Sequence, residues 1–261
     1  MKKTLQIALV SGVALTALCG QAAMASEPGN FTLITGFDYS SGKYGGTDST
    51  DILYIPFTGK YETGPWTLKL TVPYIQITGP GNVVRDVGAF RSSSSTTRTT
   101  ESGLGDVVAQ ATYNVYTSGY VNPFMVDLTG KIKFGTADET KGLGTGQDDY
   151  AAQVDLYKTI DKFTAFGTVG YKVFGQPTGI VLNNVWYGSF GGSYKLSDVN
   201  SAGLIMDLRQ KATDTGYRQE EMTAFVSHKI DKSWKTQAYL VKGFTSGSPD
   251  WGAGAMVMYA F

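Results

Sequence analysis

The chain has 261 residues, of which 42% are hydrophobic, 13% aromatic and 17% charged. Charge lies below the roughly 25% of an ordinary soluble domain, while Gly (33) and Tyr (16) are abundant, a composition that suits many short strands joined by turns. Formal charge is zero, which leaves no basic field for nucleic acid.

Residues 1–25 read as an export signal. Lys2 and Lys3 precede "LQIALVSGVALTAL" (5–18), an apolar stretch too short to span a bilayer, and "AMA" (23–25) before Ser26 is a small-x-small cleavage site. Leu18 before Cys19 argues against lipidation. Cutting after Ala25 removes that sole cysteine, so the mature chain has no disulfide, thiolate metal site or cysteine nucleophile. It also leaves 20 basic against 22 acidic residues. No later apolar run reaches the length of a membrane-spanning helix.

From residue 31 onward the chain alternates with period two in segments of about ten residues, the length of a tilted strand crossing a bilayer. The outward sets of alternate residues run Phe31 to Tyr39, Leu53 to Tyr61, Trp66 to Tyr74, Val107 to Tyr113, Phe124 to Phe134 and Tyr150 to Leu156. They continue Ala165 to Val173, Trp186 to Tyr194, Leu204 to Leu208, Met222 to Val226, Trp234 to Leu240 and Ala253 to Phe261. That makes twelve strands, an even number as bacterial barrels require. Aromatics sit near strand ends with aliphatic or small residues between them, the pattern of two interfacial girdles around a lipid band. Links after even strands are mostly short ("ETGP", "TIDK", "LSDVN", "IDKS"), and those after odd strands longer (40–51, 77–103, 135–148, 174–184, 212–220). A soluble sandwich has no reason to keep that rule. The expected fold is a closed antiparallel 12-stranded β-barrel in the bacterial outer membrane, surrounded by lipid, with both termini periplasmic.

The intervening residues are polar. Lys69, Asp106, Asp127, Lys131, Lys133, Gln153, Asp155, Lys172, Asp207 and Arg209 are expected to face the lumen. Two readings stay open: a wet path selecting small solutes, or paired charges that fill a closed interior and hold it rigid. Pro56 and Pro73, counted outward from the turn at 62–65, fall nearly opposite each other near the outer ends of strands two and three. A proline cannot donate to a ladder, so the pair marks either a lateral gap for hydrophobic cargo or a sheet fraying into its loop. The loop "RDVGAFRSSSSTTRTTESG" (85–103), with Arg85, Arg91 and Arg98, is a lid, a lipid-phosphate contact or a solvated segment. "GTADETKGLGTGQDD" (135–149) lacks the ligand order of a calcium loop. No metal or cofactor is expected. His228 is the sole histidine, near the periplasmic end of strand ten, and Ser227 points to the other face. No nucleophile–base pair forms there, and no enzyme is expected.

The stretches "LTVPYIQITGPGNV" (70–83), "GLGDVVAQATYNV" (103–115), "DLTGKIKFGTADETKGLGTGQDDY" (127–150) and "KGFTSGSPDWGAG" (242–254) resemble a family of outer-membrane transporters labelled by the MetA pathway of phenol degradation. The resemblance implies passage of small, aromatic cargo. A more distant likeness to fatty-acid-type transporters implies hydrophobic cargo, but strand one begins too soon after the cut for their N-terminal plug. Tyr259 and the terminal Phe261 look like the C-terminal signal read by the barrel assembly machinery. The expected function is a passive channel or transporter for small molecules; the alternative is a structural or surface-interaction barrel with an occluded lumen.

Overall fold

The computed structural model describes residues 29–81, 83–85, 87–89, 97–119 and 121–261. The export signal and Arg91 lie outside the described residues. Twelve antiparallel strands form the wall: β1 Asn30–Gly42, β2 Thr50–Thr63, β3 Trp66–Gly79, β4 in two pieces (Thr99–Leu104 and Val108–Ser118), β5 Phe124–Lys133 and β6 Asp149–Ile160. The rest are β7 Phe163–Val173, β8 Val185–Lys195, β9 Asn200–Arg209, β10 Gln219–Lys229, β11 Trp234–Gly243 and β12 Trp251–Ala260. Each pairs with its sequence neighbours, and β1 pairs with β12 from Thr32↔Ala260 to Ser41↔Trp251, closing the ring. Both ends of the described chain therefore lie at the same rim.

That rim also carries the short connections 64–65, 119–123, 161–162, 196–199 and 230–233, whereas 80–98, 134–148 and 174–184 cross the other end. The tight turn at Gly64, with φ of 53°, needs a residue that tolerates the left-handed region.

The alternation is physical as well as textual. Leu68, Leu70, Leu128, Val154, Leu156, Leu204, Val226 and Leu240 point outward and are exposed, while Lys69, Asp127, Gln153 and Asp155 point inward and are buried. Aromatic pairs ring both ends of this band. At the short-turn rim Trp66 meets Tyr113 at 4.8 Å and Trp234 meets Tyr259 at 4.7 Å; at the long-loop rim Tyr39 meets Trp251 at 5.4 Å and Tyr171 meets Trp186 at 5.1 Å. Rings with an apolar body and a polar edge favour the lipid–water boundary. Phe261 packs on Tyr259 at 4.8 Å and Phe31 at 5.7 Å, and its backbone N–H donates to the Phe31 carbonyl. The terminal ring thus lies across the closing seam.

Strand four departs from the expected bounds. β3 continues to Gly79 and β4 begins at Thr99, so the 77–103 link is shorter than its sequence suggested. Within it, Val83–Val84 pairs with Gly88–Ala89 as a small hairpin. Two irregularities bend β4. Three residues, Gly105 to Val107, face the two residues Val72 and Pro73, and a register shift falls between Asn114 and Tyr116.

An outward charge at mid-strand has only lipid to face. Leu128→Arg is expected to lower stability by about 2–4 kcal/mol, read from denaturant unfolding in liposomes, while Thr129→Ser on the inner face leaves it nearly unchanged.

Candidate functional site: the lumen and its mouth

Every one of the ten expected lumen residues points inward, but they divide into distinct groups. At the long-loop end the charges are paired. Lys133 Nζ reaches Asp106 Oδ2 at 2.8 Å and Asp149 Oδ2 at 3.5 Å, and Lys172 Nζ reaches Asp149 at 3.1 Å. Asp106 sits on the β4 bulge, where its other oxygen accepts the Ala137 N–H at 2.9 Å. It is therefore as much a tether for the 134–148 loop as a wall charge. Deeper, Asp155 accepts from Thr129 (3.1 Å), Thr168 (2.6 Å) and Gln153 (2.7 and 2.8 Å), and Asp127 accepts from Asn114 at 2.6 Å. Tyr187 donates to Gln153 at 2.9 Å, and Lys131 lies over the Tyr187 ring at 5.8 Å. Lys69 and Arg209 are buried on the inner face, and Asp207 is half-buried.

Sequence reasoning did not find that the lumen is apolar for part of its height. Met125, Tyr157, Phe166, Ile205, Phe225, Tyr239, Val241, Met256 and Met258 point inward and form one buried cluster that runs from near the short-turn rim, at Met125 and Met258, up to Val241 opposite Gly252. The large rings fit because they lie over glycines of the neighbouring strand. Any side chain at Gly254 would collide with the Tyr239 ring. Across that gap Tyr239 Oη donates to Asp38 Oδ2 at 2.9 Å, tying β11 to β1 over the seam strand.

The long-loop mouth is covered. Val83 joins a cluster with Ile52, Ile75, Ile77 and Leu143, while Val84 and Val87 join Phe174, Leu182, Val185 and Ala212 on the other side. The hairpin between β3 and β4 thus bridges two separated parts of the ring. At its turn Arg85 stacks on Tyr54 at 3.5 Å and reaches Asp38 Oδ1 at 3.6 Å. Of the readings open for this loop, Arg85 takes the inward one. Arg98 instead fastens the rim, with Nη2 donating to Asp51 Oδ2 at 2.6 Å. In the 134–148 loop Asp138 holds its own turn: the Thr140 hydroxyl at 2.6 Å, helped by two backbone N–H groups, keeps its carboxyl below the ordinary range.

Pro56 and Pro73 are directly opposite and almost fully buried. The two-residue turn makes Thr63↔Trp66 a mutually bonded pair, so counting by twos puts the prolines at a non-bonded pair. Their missing donors would face away from each other. Register between β2 and β3 accordingly runs unbroken from Asp51↔Thr78 to Thr63↔Trp66. The interruptions fall at 36–37 against 55–56 on the β1 side, and at the bulge on the β4 side. The weakening expected between strands two and three is displaced to their outer neighbours.

His228 points outward and pairs through Nδ1 with Asn200 Oδ1 at 2.7 Å, while Ser227 points inward to Gln237 at 3.1 Å. The two remain on opposite faces.

No protein-family model matches the chain, and no curated protein matches it by sequence. Solved structures do match. The COG4313 outer membrane channel from Pseudomonas putida F1 aligns with a TM-score of 0.69 at 11% identity, over 93% of this chain and 99% of that one. The NanC porin aligns at 0.53 and 11% identity, over 87% and 98%. The KdgM porin in complex with disordered oligogalacturonate aligns at 0.50 and 12% identity, over 88% and 99%. At these identities the likeness is one of fold: an outer-membrane β-barrel.

Replacing residues 83–89 with a Gly-Ser link is expected to raise single-channel conductance several-fold in planar bilayers, with Arg85→Ala giving a smaller rise. Conductance unchanged in both would show that the hairpin does not limit the mouth.

Proposed function

We propose that the protein is a passive outer-membrane channel for small hydrophobic or aromatic molecules, with both termini periplasmic and the chain exported by its N-terminal signal. The observation that carries this reading is the contiguous apolar cluster inside the barrel. A path for sugars or ions gains nothing from Met125, Phe166, Ile205 and Met258 lining it, whereas apolar cargo is stabilised by about 25 cal/mol for each Å² it removes from water. Methionine and aromatic side chains can also repack around cargo of varied shape. The resemblance to transporters labelled by the MetA pathway points the same way. Tyr259 and Phe261, outward at the seam, are the residues we assign to recognition by the assembly machinery. No catalytic role is proposed for His228 or Ser227.

A second reading has its own support: the covered mouth and the tightly buried lumen charges suit a sealed structural barrel. Uptake separates the two. Cells of a Gram-negative host carrying the barrel are expected to take up the hydrophobic dye N-phenyl-1-naphthylamine faster than cells without it. In bilayers the near-balance of lumen charges should give reversal potentials close to zero. Equal dye uptake with no conductance would establish the sealed barrel.

Cargo also needs an exit. The two ladder interruptions flanking Pro56 and Pro73 support a lateral opening of the wall into lipid. Replacing both prolines with valine restores donors on both sides and is expected to slow dye uptake; unchanged uptake would remove the lateral path.

A further inference from the structure

Lumen residues fall into rows that cross neighbouring strands rung by rung. One row runs Asp127↔Asp155↔Thr168↔Ser189↔Asp207, climbing from the short-turn end toward the mouth. Two residues along each strand, a second row runs Met125↔Tyr157↔Phe166↔Gly191↔Ile205. An acidic track and an apolar track therefore lie side by side over five strands.

The deep end of the acidic track is electrostatically unfinished. Asp38, Asp51, Glu62, Asp106 and Asp149 each have a basic partner. Asp127 and Asp155, directly opposite each other and 6% and 1% exposed, have no ion pair with a basic side chain among the described residues. Their hydrogen bonds come from neutral groups alone. Like charges facing each other destabilise a ladder, and buried carboxylates without a counter-charge cost more still. An independent sign lies on the next strands of the same row. Ser189, 7% exposed, turns its Oγ inward, and that buried oxygen has no hydrogen-bond partner among the described residues.

We infer that the Asp127–Asp155 pair, with Ser189, is a binding site for the ammonium group of a cargo molecule whose apolar body lies on the Met125–Tyr157–Phe166–Ile205 track. A primary ammonium offers three donors, which suits the two facing carboxylates, with the Ser189 hydroxyl, two strands on from Asp155, as a further acceptor along the same row, and the faces of Tyr157 and Phe166 favour a nearby cation. For the cargo's apolar body the inference rests on the proposed passage of hydrophobic molecules, and it narrows that class to hydrophobic amines.

The test uses the full barrel in nanodiscs and three matched probes: phenethylamine, 2-phenylethanol and phenylacetate. Binding is followed by saturation-transfer NMR and equilibrium dialysis at neutral pH. Phenethylamine is expected to bind about tenfold more tightly than 2-phenylethanol, with phenylacetate weakest. Asp155→Asn and Asp127→Asn should each erase that preference and leave 2-phenylethanol binding unchanged, while Asp155→Glu retains it. Folding of each variant is checked by heat-modifiable gel mobility. Equal binding of amine and alcohol to the unaltered barrel, as a pair holding only a proton or water would give, overturns the inference whatever the variants do. Preference surviving in both folded asparagine variants overturns it equally. Should the amine bind through Asp155 while 2-phenylethanol neither binds nor crosses, the ammonium site stands and the passage of hydrophobic molecules falls.

Discussion

Backbone hydrogen bonding in the absence of water governs this structure. A strand edge exposed to hydrocarbon leaves each of its N–H and C=O groups unsatisfied at several kcal/mol apiece, so a sheet in lipid must close. Here closure falls between β1 and β12, where ten residue pairs run from Thr32↔Ala260 to Ser41↔Trp251. Additional groups guard the seam. The Phe261 N–H continues the ladder to Phe31, and Tyr239 reaches across Gly254 to Asp38. The rule against unpaired groups also explains where the prolines are tolerated. Set opposite each other at a non-bonded position, they leave the β2–β3 ladder whole and place their missing donors beside a bulge and a short gap.

Closure fixes side-chain direction, and direction fixes what each residue meets. Outward residues form an apolar band ringed by aromatics, the surface that a bilayer would cover. Inward residues meet one another, because a ring of twelve strands leaves a lumen that side chains and an inserted loop can fill. The interior then separates into groups: the Lys133–Asp106 and Lys172–Asp149 ion pairs near the mouth, neutral donors around Asp155 below them, and an apolar cluster that runs from the short-turn rim up to Val241. The hairpin between β3 and β4 covers the top through valines on both sides and Arg85 at its turn. On the proposed channel reading, passage requires parts that move, and the methionines of the cluster, with their adaptable side chains, and the hairpin are the parts the structure offers.

Much of this was legible in the chain. Leu68, Leu70 and Val72 alternating with Lys69, Thr71 and Pro73 mark both faces of β3 in the sequence itself. The short and long connections named the two rims. What escaped had physical reasons. "TTESGL" (99–104) extends β4, but its outward residues Thr100 and Ser102 lie beyond the apolar band, so no alternation marks them. Met125, Phe225 and Tyr239 lie between outward apolar residues, and Tyr157 and Phe166 each follow one, so the period-two signal fades where the inner face turns apolar. Counting from the turn placed the prolines opposite each other; which side of the ladder loses donors depends on the pairing type. The Asp38–Tyr239 bond joins residues 201 positions apart, a contact that only ring closure creates.

Lipid wetting of the outer face has a built-in reporter. All four tryptophans, Trp66, Trp186, Trp234 and Trp251, point outward and are exposed, with none in the lumen. Fluorescence of the reconstituted barrel should be quenched strongly by lipids brominated near the head of the acyl chain and hardly at all by aqueous iodide. Strong iodide quenching without any response to brominated lipid would mean that water or protein, rather than hydrocarbon, covers this face.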